Sequence, residues 1–468
     1  MSVPTAEPPR VPEPGSTSAR VCALGVLGAA LGLALWLWDA NLLVPQAGMQ
    51  SILAANSLVE GRGLEISAGT PFSKYPPIYP VLLALGRAAG LAVVPTVYLV
   101  NVATLAVTLL ALHALARALR VRHAWLVPVI YAALGSTHYL LRASRGDAIA
   151  IGAFLVAALA LVNYAQAGRR GSLLLAAAAC AVGALARYMG LFTLLPLGAA
   201  ATWWFGRRLG LRAAAGARPV SAWKDALVFA LVSFIPPGLW LLRNQLVKGH
   251  AFGIPKVMGT RAGAEGTDFA SNVFGLGQTA WLDLFAFDAL GVIRVVYGDT
   301  PVPHPGWAET GSVVALVCVV GLIVLRRTGR APEDGGHDEE SVRARERVAD
   351  TRLVLTVFVA LYSAALIAIW TVGQNDPIHT RYVAPLYGPM LLLVASLASR
   401  AVAARGSLAR VVVCVLAATV LVPNLPKTRK LLGEWPDDRL LEITSRRGAN
   451  RWHHDLTWDL GTDPTPDE

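Results

Sequence analysis

The sequence predicts an all-α polytopic membrane protein: a helical bundle of about 11 transmembrane helices with short external juxtamembrane helices. Three observations predict it. Of 468 residues, 55% are hydrophobic and only 15% charged, and the mean hydropathy is +0.52, a composition too apolar for a soluble chain of this length. The apolar residues gather in windows close to the length a helix needs to cross a bilayer core of roughly 30 Å. Lys and Arg cluster in alternate connections between those windows, as the cytoplasmic bias of basic loops requires.

Taken in order, the windows fall at 21–38, 95–116, 124–141, 148–166, 172–186, 189–205, 226–242, 311–325, 353–371, 383–399 and 409–423. Residues 1–20 are rich in Pro and Ser and carry Arg10 and Arg20, which reads as a disordered cytoplasmic tail. No small-residue cleavage site precedes Trp36-Leu37-Trp38, so the first window is expected to be an uncleaved span rather than a signal peptide. With the N-terminus cytoplasmic, five basic clusters land inside: Arg117/Arg120/Arg122, Arg169/Arg170, Arg207 to Lys224, Arg326 to Arg352 and Arg400/Arg405/Arg410. The opposite orientation would place most short basic loops outside. The expected topology is therefore N-in, C-out. The pair 172–186 and 189–205 is divided only by Arg187 in an otherwise apolar stretch, and each half is short for a full crossing.

Residues 21–423 form the membrane domain, and 424–468 a short external tail. Within the domain, 39–94 is the first external segment. There "MQSILAANSLVEGRGL" reads as an amphipathic helix ended by Gly61 and Gly63, and "YPPIYPVLLALGRAAGL" as a helix lying in the interface. Residues 243–310 form a second external segment, and 327–352 a mixed-charge, flexible cytoplasmic loop.

Cys22, Cys180, Cys318 and Cys414 each sit in an apolar run, as small buried hydrophobes do, and not in a disulfide or zinc pattern. A net charge of +11 is accounted for by anionic lipid at the cytoplasmic face, and no nucleic-acid module is present. His138, His250, His304 and His379 occur singly, without ligand spacing; only the tail's "RWHHD", with His453, His454 and Asp455, could hold a metal, adventitiously. No cofactor is required, although a divalent metal is compatible with the chain.

Once the cytoplasmic arginines are assigned to topology, Lys74, Arg142, Arg145, Arg187, Arg243 and Arg381 remain, all at external ends of predicted spans. Asp39 and Asp147 are expected at the same level. Two carboxylates among several cations suit a phosphate-bearing ligand with an acid or base acting beside it. Each Arg could instead snorkel to headgroups, and Arg142 or Arg145 could form a structural salt bridge with Asp147 in "LLRASRGDAIAIGAF".

The ordered motifs "LAANSLVEGRGL", "SKYPPIYPVLLAL", "YLLRASRGDAIAIGAFL", "ARYMGLFTLLP", "LWLLRNQLVKGHAFG" and "HTRYVAPLYGPMLLLV" resemble the GT-C superfamily of polyprenyl-phosphate-sugar-dependent glycosyltransferases. Most similar are the bacterial relatives of protein O-mannosyltransferases and of the lipid A aminoarabinose transferase. The resemblance spans roughly residues 21–423. It implies an active site on the external face of a bacterial inner membrane and a sugar moved from a polyprenyl-phosphate donor to a hydroxyl of a protein, lipid or glycan. It further implies Asp39 as the base or acceptor-orienting acid, Asp147 as a second acid, and Lys74, Arg142, Arg145, Arg243 and Arg381 at the donor phosphate. Tyr75, Tyr79, Arg187 and Tyr382 would line the pocket.

The chain departs from the family at one place. The acid usually stands nearer the "LxxGxGL" stretch, in the window occupied here by "PQAGMQS", which has no carboxylate. Either the external helix has shifted by about two turns, or the acid has moved to Asp39 or been lost; Glu60 and Glu65 stand at a helix end. Charges inside a helical bundle would also suit a transporter or lipid flippase, against which stands the absence of an internal repeat between the two halves. A catalytically inactive relative is the third reading.

Overall fold

The computed structural model describes residues 46–134, 143–213, 222–253, 317–324, 339–372 and 380–433, with positions 137, 140, 141 and 276 between them. Helix α1 (Gln46–Val59) opens this part, followed by strands β1 (Glu65–Ser67) and β2 (Thr70–Pro71), paired as a small antiparallel hairpin. Helices α2 (Ile78–Ala88), α3 (Val93–Ala118), α4 (Leu126–Ala133), α5 (Asp147–Ala167), α6 (Arg170–Ala186), α7 (Met189–Ala213) and α8 (Ala222–Lys248) follow. Helices α9 (Glu339–Val372) and α10 (Thr380–Gly433) complete the described chain.

Six of these helices are long and apolar enough to cross a membrane: α3, α5, α8, and the stretches Met189–Leu209, Val342–Ala368 and Val383–Ala403 of α7, α9 and α10. The protein is a multi-pass helical membrane bundle. The short helices α2 and α6 and the stretch Gly406–Ala418 are apolar but below that length. At 17 residues, α6 extends only about 25 Å. Gly406, at φ 57 and ψ −114, divides α10 into the two expected helices. The window 311–325 is described only over 317–324, which is helical, and the window 21–38 lies outside the described residues.

Composition explains how each helix is placed. In α8 the residues Phe229, Ser233, Pro237, Trp240 and Asn244 recur at three- and four-residue spacing and are buried. Trp223, Leu227, Leu231, Ile235, Leu239, Leu242 and Leu246 stay exposed on the other side. An apolar exposed face is what a lipid-facing helix requires, since lipid imposes no cost on it. The central helix is α5, apolar all round and largely buried. Its Phe154 stacks on Phe358 of α9.

Polar contacts define the two ends of the bundle. At one end, Arg208 of α7 pairs with Asp350 and Glu346 of α9, and Gln166 of α5 donates to Asp350. Tyr164 of α5 donates to Asp225 of α8, and Arg352 of α9 donates to Ser396 of α10. The backbone N–H of Arg122 donates to the Ser399 hydroxyl of α10, one turn beyond Ser396. At the other end lie the start of α5, the junction of α6 with α7 and the C-terminal turns of α8, tied together by the contacts described below.

One segment differs from its expectation. The loop read over 327–352 is helical from Glu339, because α9 continues well past the predicted span on its N-terminal side. Its mixed charges are partnered: Asp350 is buried, and Arg347 donates to Asn163 of α5. Residues 325–338 lie outside the described residues.

Helix α1 ends where expected, just before Gly61 and Gly63, both with positive φ. A Cβ on Gly48 would overlap the Ser144 hydroxyl and come within 2.5 Å of the Ser144 carbonyl oxygen. Helix α1 therefore lies directly on the segment that leads into α5. Gly48→Ala is expected to destabilise the protein by about 1–3 kcal/mol through overpacking, read as a lower apparent melting temperature of the purified protein in detergent.

Candidate active site

Helix α5 begins at Asp147, preceded by Gly146. A Cβ on Gly146 would stand 2.7 Å from the carbonyl oxygen of Ala186, so glycine lets the start of α5 approach the end of α6. Arg187 follows Ala186 in an extended conformation, at φ −155 and ψ 128. Its guanidinium donates to and pairs with the Asp147 carboxylate, the two side chains 16% and 11% exposed. The acid in a first helical turn and the base just past a helix end each complement the local helix dipole. A pair this enclosed exists at the expense of desolvation, and each partner depends on the other. Among the described residues the Asp147 partner is thus Arg187 and not Arg145.

Tyr188, the next residue, points to a different part of the chain. Its hydroxyl donates to the Ser73 carbonyl at 3.2 Å and accepts from the Trp240 indole at 3.0 Å. Burial raises its pKa, opposed by the hydrogen bonds from Trp240 and Asn244. Asn244 donates to the Ser73 carbonyl at 3.1 Å and to the Ala251 carbonyl at 3.2 Å. Arg243 donates to the Phe72 carbonyl at 2.5 Å and to the Leu64 carbonyl at 3.4 Å, with its guanidinium 4.8 Å from the Trp240 ring centre. Phe72 is buried against Trp240 and Tyr75.

These bonds fix the segment that carries Lys74. Lys74 itself is half-buried, its ammonium 5.4 Å from the Tyr75 ring centre. Tyr79, in the first turn of α2, is buried, and its hydroxyl has no hydrogen-bond partner among the described residues. Burial, and then the charge of Asp147, push its pKa upward, so the group remains a hydroxyl. The buried Arg145 Nε is likewise without a hydrogen-bond partner.

Arg187 and Tyr188 thus form a two-residue hinge between α6 and α7 on which two distant segments meet. Arg187 holds the start of α5, and Tyr188 holds the residue before Lys74. Of the residues expected at the site, Lys74, Tyr75, Tyr79, Arg145, Asp147, Arg187 and Arg243 stand on or beside these segments. Arg243 donates to the backbone carbonyls of Phe72 and Leu64. Asp39 and Arg142 lie outside the described residues; Arg381 and Tyr382 stand in the first turn of α10, and their side chains lie outside the described residues. Among the described residues no group of His, Cys, Asp and Glu could hold a metal.

Tyr188, Trp240, Asn244 and Asn101 were not singled out from the sequence. Asn101 of α3 is fully buried and donates to the carbonyls of Leu141 at 2.8 Å and Ala143 at 3.1 Å. A polar amide inside an apolar run, as in "YLVNVATL" and "LLRNQL", was the available signal.

No family model and no curated protein sequence matches the chain. Among solved structures, it is similar to ArnT from Cupriavidus metallidurans bound to undecaprenyl phosphate. That likeness has 15% identity and a TM-score of 0.41, covering 84% of this chain and 78% of that chain. The apo state of the same ArnT gives 15% identity and a TM-score of 0.39, covering 83% of this chain and 78% of that chain.

Proposed function

We propose that the protein is an integral-membrane glycosyltransferase of the GT-C type, moving a hexosyl group from a polyprenyl phosphate to a hydroxyl of a protein, lipid or glycan. The observation that carries this reading is the Arg187–Tyr188 hinge, which draws the acid-bearing start of α5 and the Lys74 segment to one end of the bundle. That end is opposite the Arg208–Asp350 belt. It follows as the external face if the basic belt is cytoplasmic, as the loop-charge bias requires. The ordered motifs that resemble the GT-C superfamily support the same reading.

The chemistry needs few parts. A carboxylate takes the proton of the acceptor hydroxyl, the acceptor oxygen bonds to the anomeric carbon, and the bond from that carbon to the phosphate oxygen breaks. The bonding pair leaves with the polyprenyl phosphate, whose charge a nearby cation stabilises. Asp39 is the proposed base and Lys74 the proposed phosphate contact. Arg142, Arg145 and Arg381 are placed beside the phosphate, and Tyr75, Tyr79 and Tyr382 along the pocket. Asp147, through Arg187, sets the geometry of the site rather than facing it as an unpaired acid.

The test is consumption of a labelled polyprenyl-phosphate hexose by the purified full-length protein in detergent, with membrane extract as acceptor. Wild type is expected to release polyprenyl phosphate, and Asp39→Asn to lower that rate about 10²- to 10⁴-fold. Lipid transfer between leaflets of proteoliposomes without donor consumption would replace this reading with a flippase. Unchanged turnover by Asp39→Asn would remove Asp39 as the base.

A further inference from the structure

Two irregular stretches of backbone lie at the site end of the bundle. One runs from Ala143 to Gly146 and delivers Arg145 and Asp147; the other runs from Phe72 to Pro77 and carries Lys74. Backbone outside a helix leaves carbonyls without helical partners, and within a membrane-embedded bundle they must be met by protein. Each stretch is met by one amide. Asn101 places its two N–H groups on the Leu141 and Ala143 carbonyls, and the Asn244 amide nitrogen donates to the Ser73 and Ala251 carbonyls and shares its donors with the Tyr188 hydroxyl. Both are 0% exposed.

We infer that Asn101 and Asn244 are positioning residues, two buried amide clamps that hold the acid-bearing and lysine-bearing halves of the site in register; this rests on the transferase reading. In each clamp one of the two carbonyls is a close neighbour in sequence of a group placed at the site. Ser73 immediately precedes Lys74, and Ala143 stands two residues before Arg145. The Asn101 Oδ1 atom is buried and, among the described residues, has no hydrogen-bond partner. An unsatisfied acceptor is costly, and its retention points to the two N–H bonds as the reason for an amide at that position. Asn244 is braced on its other side, its Oδ1 accepting from Arg243 at 3.0 Å.

Loss of a clamp should displace its segment, and a displacement near 1 Å at reacting groups lowers rate about a hundredfold. The test is a pair of double-mutant cycles in the donor-consumption assay with labelled polyprenyl-phosphate hexose. Asn244→Ala is expected to reduce kcat/KM about 10- to 100-fold in the native background and less than about twofold in Lys74→Ala. Asn101→Ala is expected to behave likewise against Arg145→Ala. Asn244→Ser and Asn101→Ser, which keep one donor, should recover part of the loss and serve where an Ala variant does not fold. Effects that multiply independently in both cycles, or Ser variants as impaired as Ala, would overturn the inference while leaving the transferase reading intact. Absence of turnover by wild type would overturn both.

Discussion

Asp147→Asn is expected to destabilise the protein by about 3–5 kcal/mol and to reduce donor turnover at least about a hundredfold. The substitution keeps the shape of the side chain and removes its charge. It takes the Asp147 charge away from the Arg187 guanidinium, which is only 16% exposed. Breaking one side of an enclosed pair is far costlier than replacing both sides with apolar groups. The double variant Asp147→Leu with Arg187→Met is therefore expected to regain most of the lost melting temperature. Turnover should stay low, because the hinge no longer fixes the start of α5. If the single variant melts like wild type, the pair does not hold the α5–α6 junction together.

Lys74→Ala is expected to act in the opposite manner. Removing one charge-stabilising contact from a leaving group typically lowers rate about 10²- to 10³-fold. The fold should be indifferent, because the backbone on either side of Lys74 is held by other residues. Phe72 is fastened by Arg243, and Ser73 by Tyr188 and Asn244. Among the described residues the Lys74 ammonium makes only its contact over the Tyr75 ring, worth about 0.5–1 kcal/mol where water has access. An unchanged melting curve with turnover lost is the expected result, measured by thermal unfolding and donor consumption on one preparation. A large fall in melting temperature would show Lys74 to be structural.

The contrast follows what the sequence could and could not disclose. Hydrophobic windows reveal spans because burial in lipid demands them, and α3, α5 and α8 extend only a few residues beyond their expected limits. Arg187 was legible as a break in an apolar stretch, and it is the break on which α6 and α7 turn. Its partner was not legible, since Asp147 lies 40 residues away and Arg142 and Arg145 are nearer along the chain. The helical start of α9 was hidden for a related reason. A run such as "EESVRARERVAD" reads as solvated charge until Arg208 and Gln166 are found opposite Asp350.

Arg243 illustrates a different limit. A cation at the external end of a span was expected at a phosphate, but its donors reach carbonyls 171 and 179 residues away. No local pattern encodes that. The β1–β2 hairpin, with strands of three and two residues, carries too little alternation to be read. Asn101 and Asn244 were passed over because charge, rather than hydrogen-bonding capacity, was the feature followed along the apolar runs.

The claim that unites these observations is that a lipid phosphate binds at the Arg187–Tyr188 end of the bundle. The most direct measurement is photocrosslinking of the purified protein with a polyprenyl phosphate carrying a diazirine in the isoprene unit next to the phosphate, followed by peptide mapping. Labelling is expected within residues 64–79 or 141–147, reduced by unlabelled polyprenyl phosphate and by Lys74→Ala. Labelling concentrated instead at the Arg208–Asp350 end, within 339–352, and unaffected by Lys74→Ala would contradict the claim.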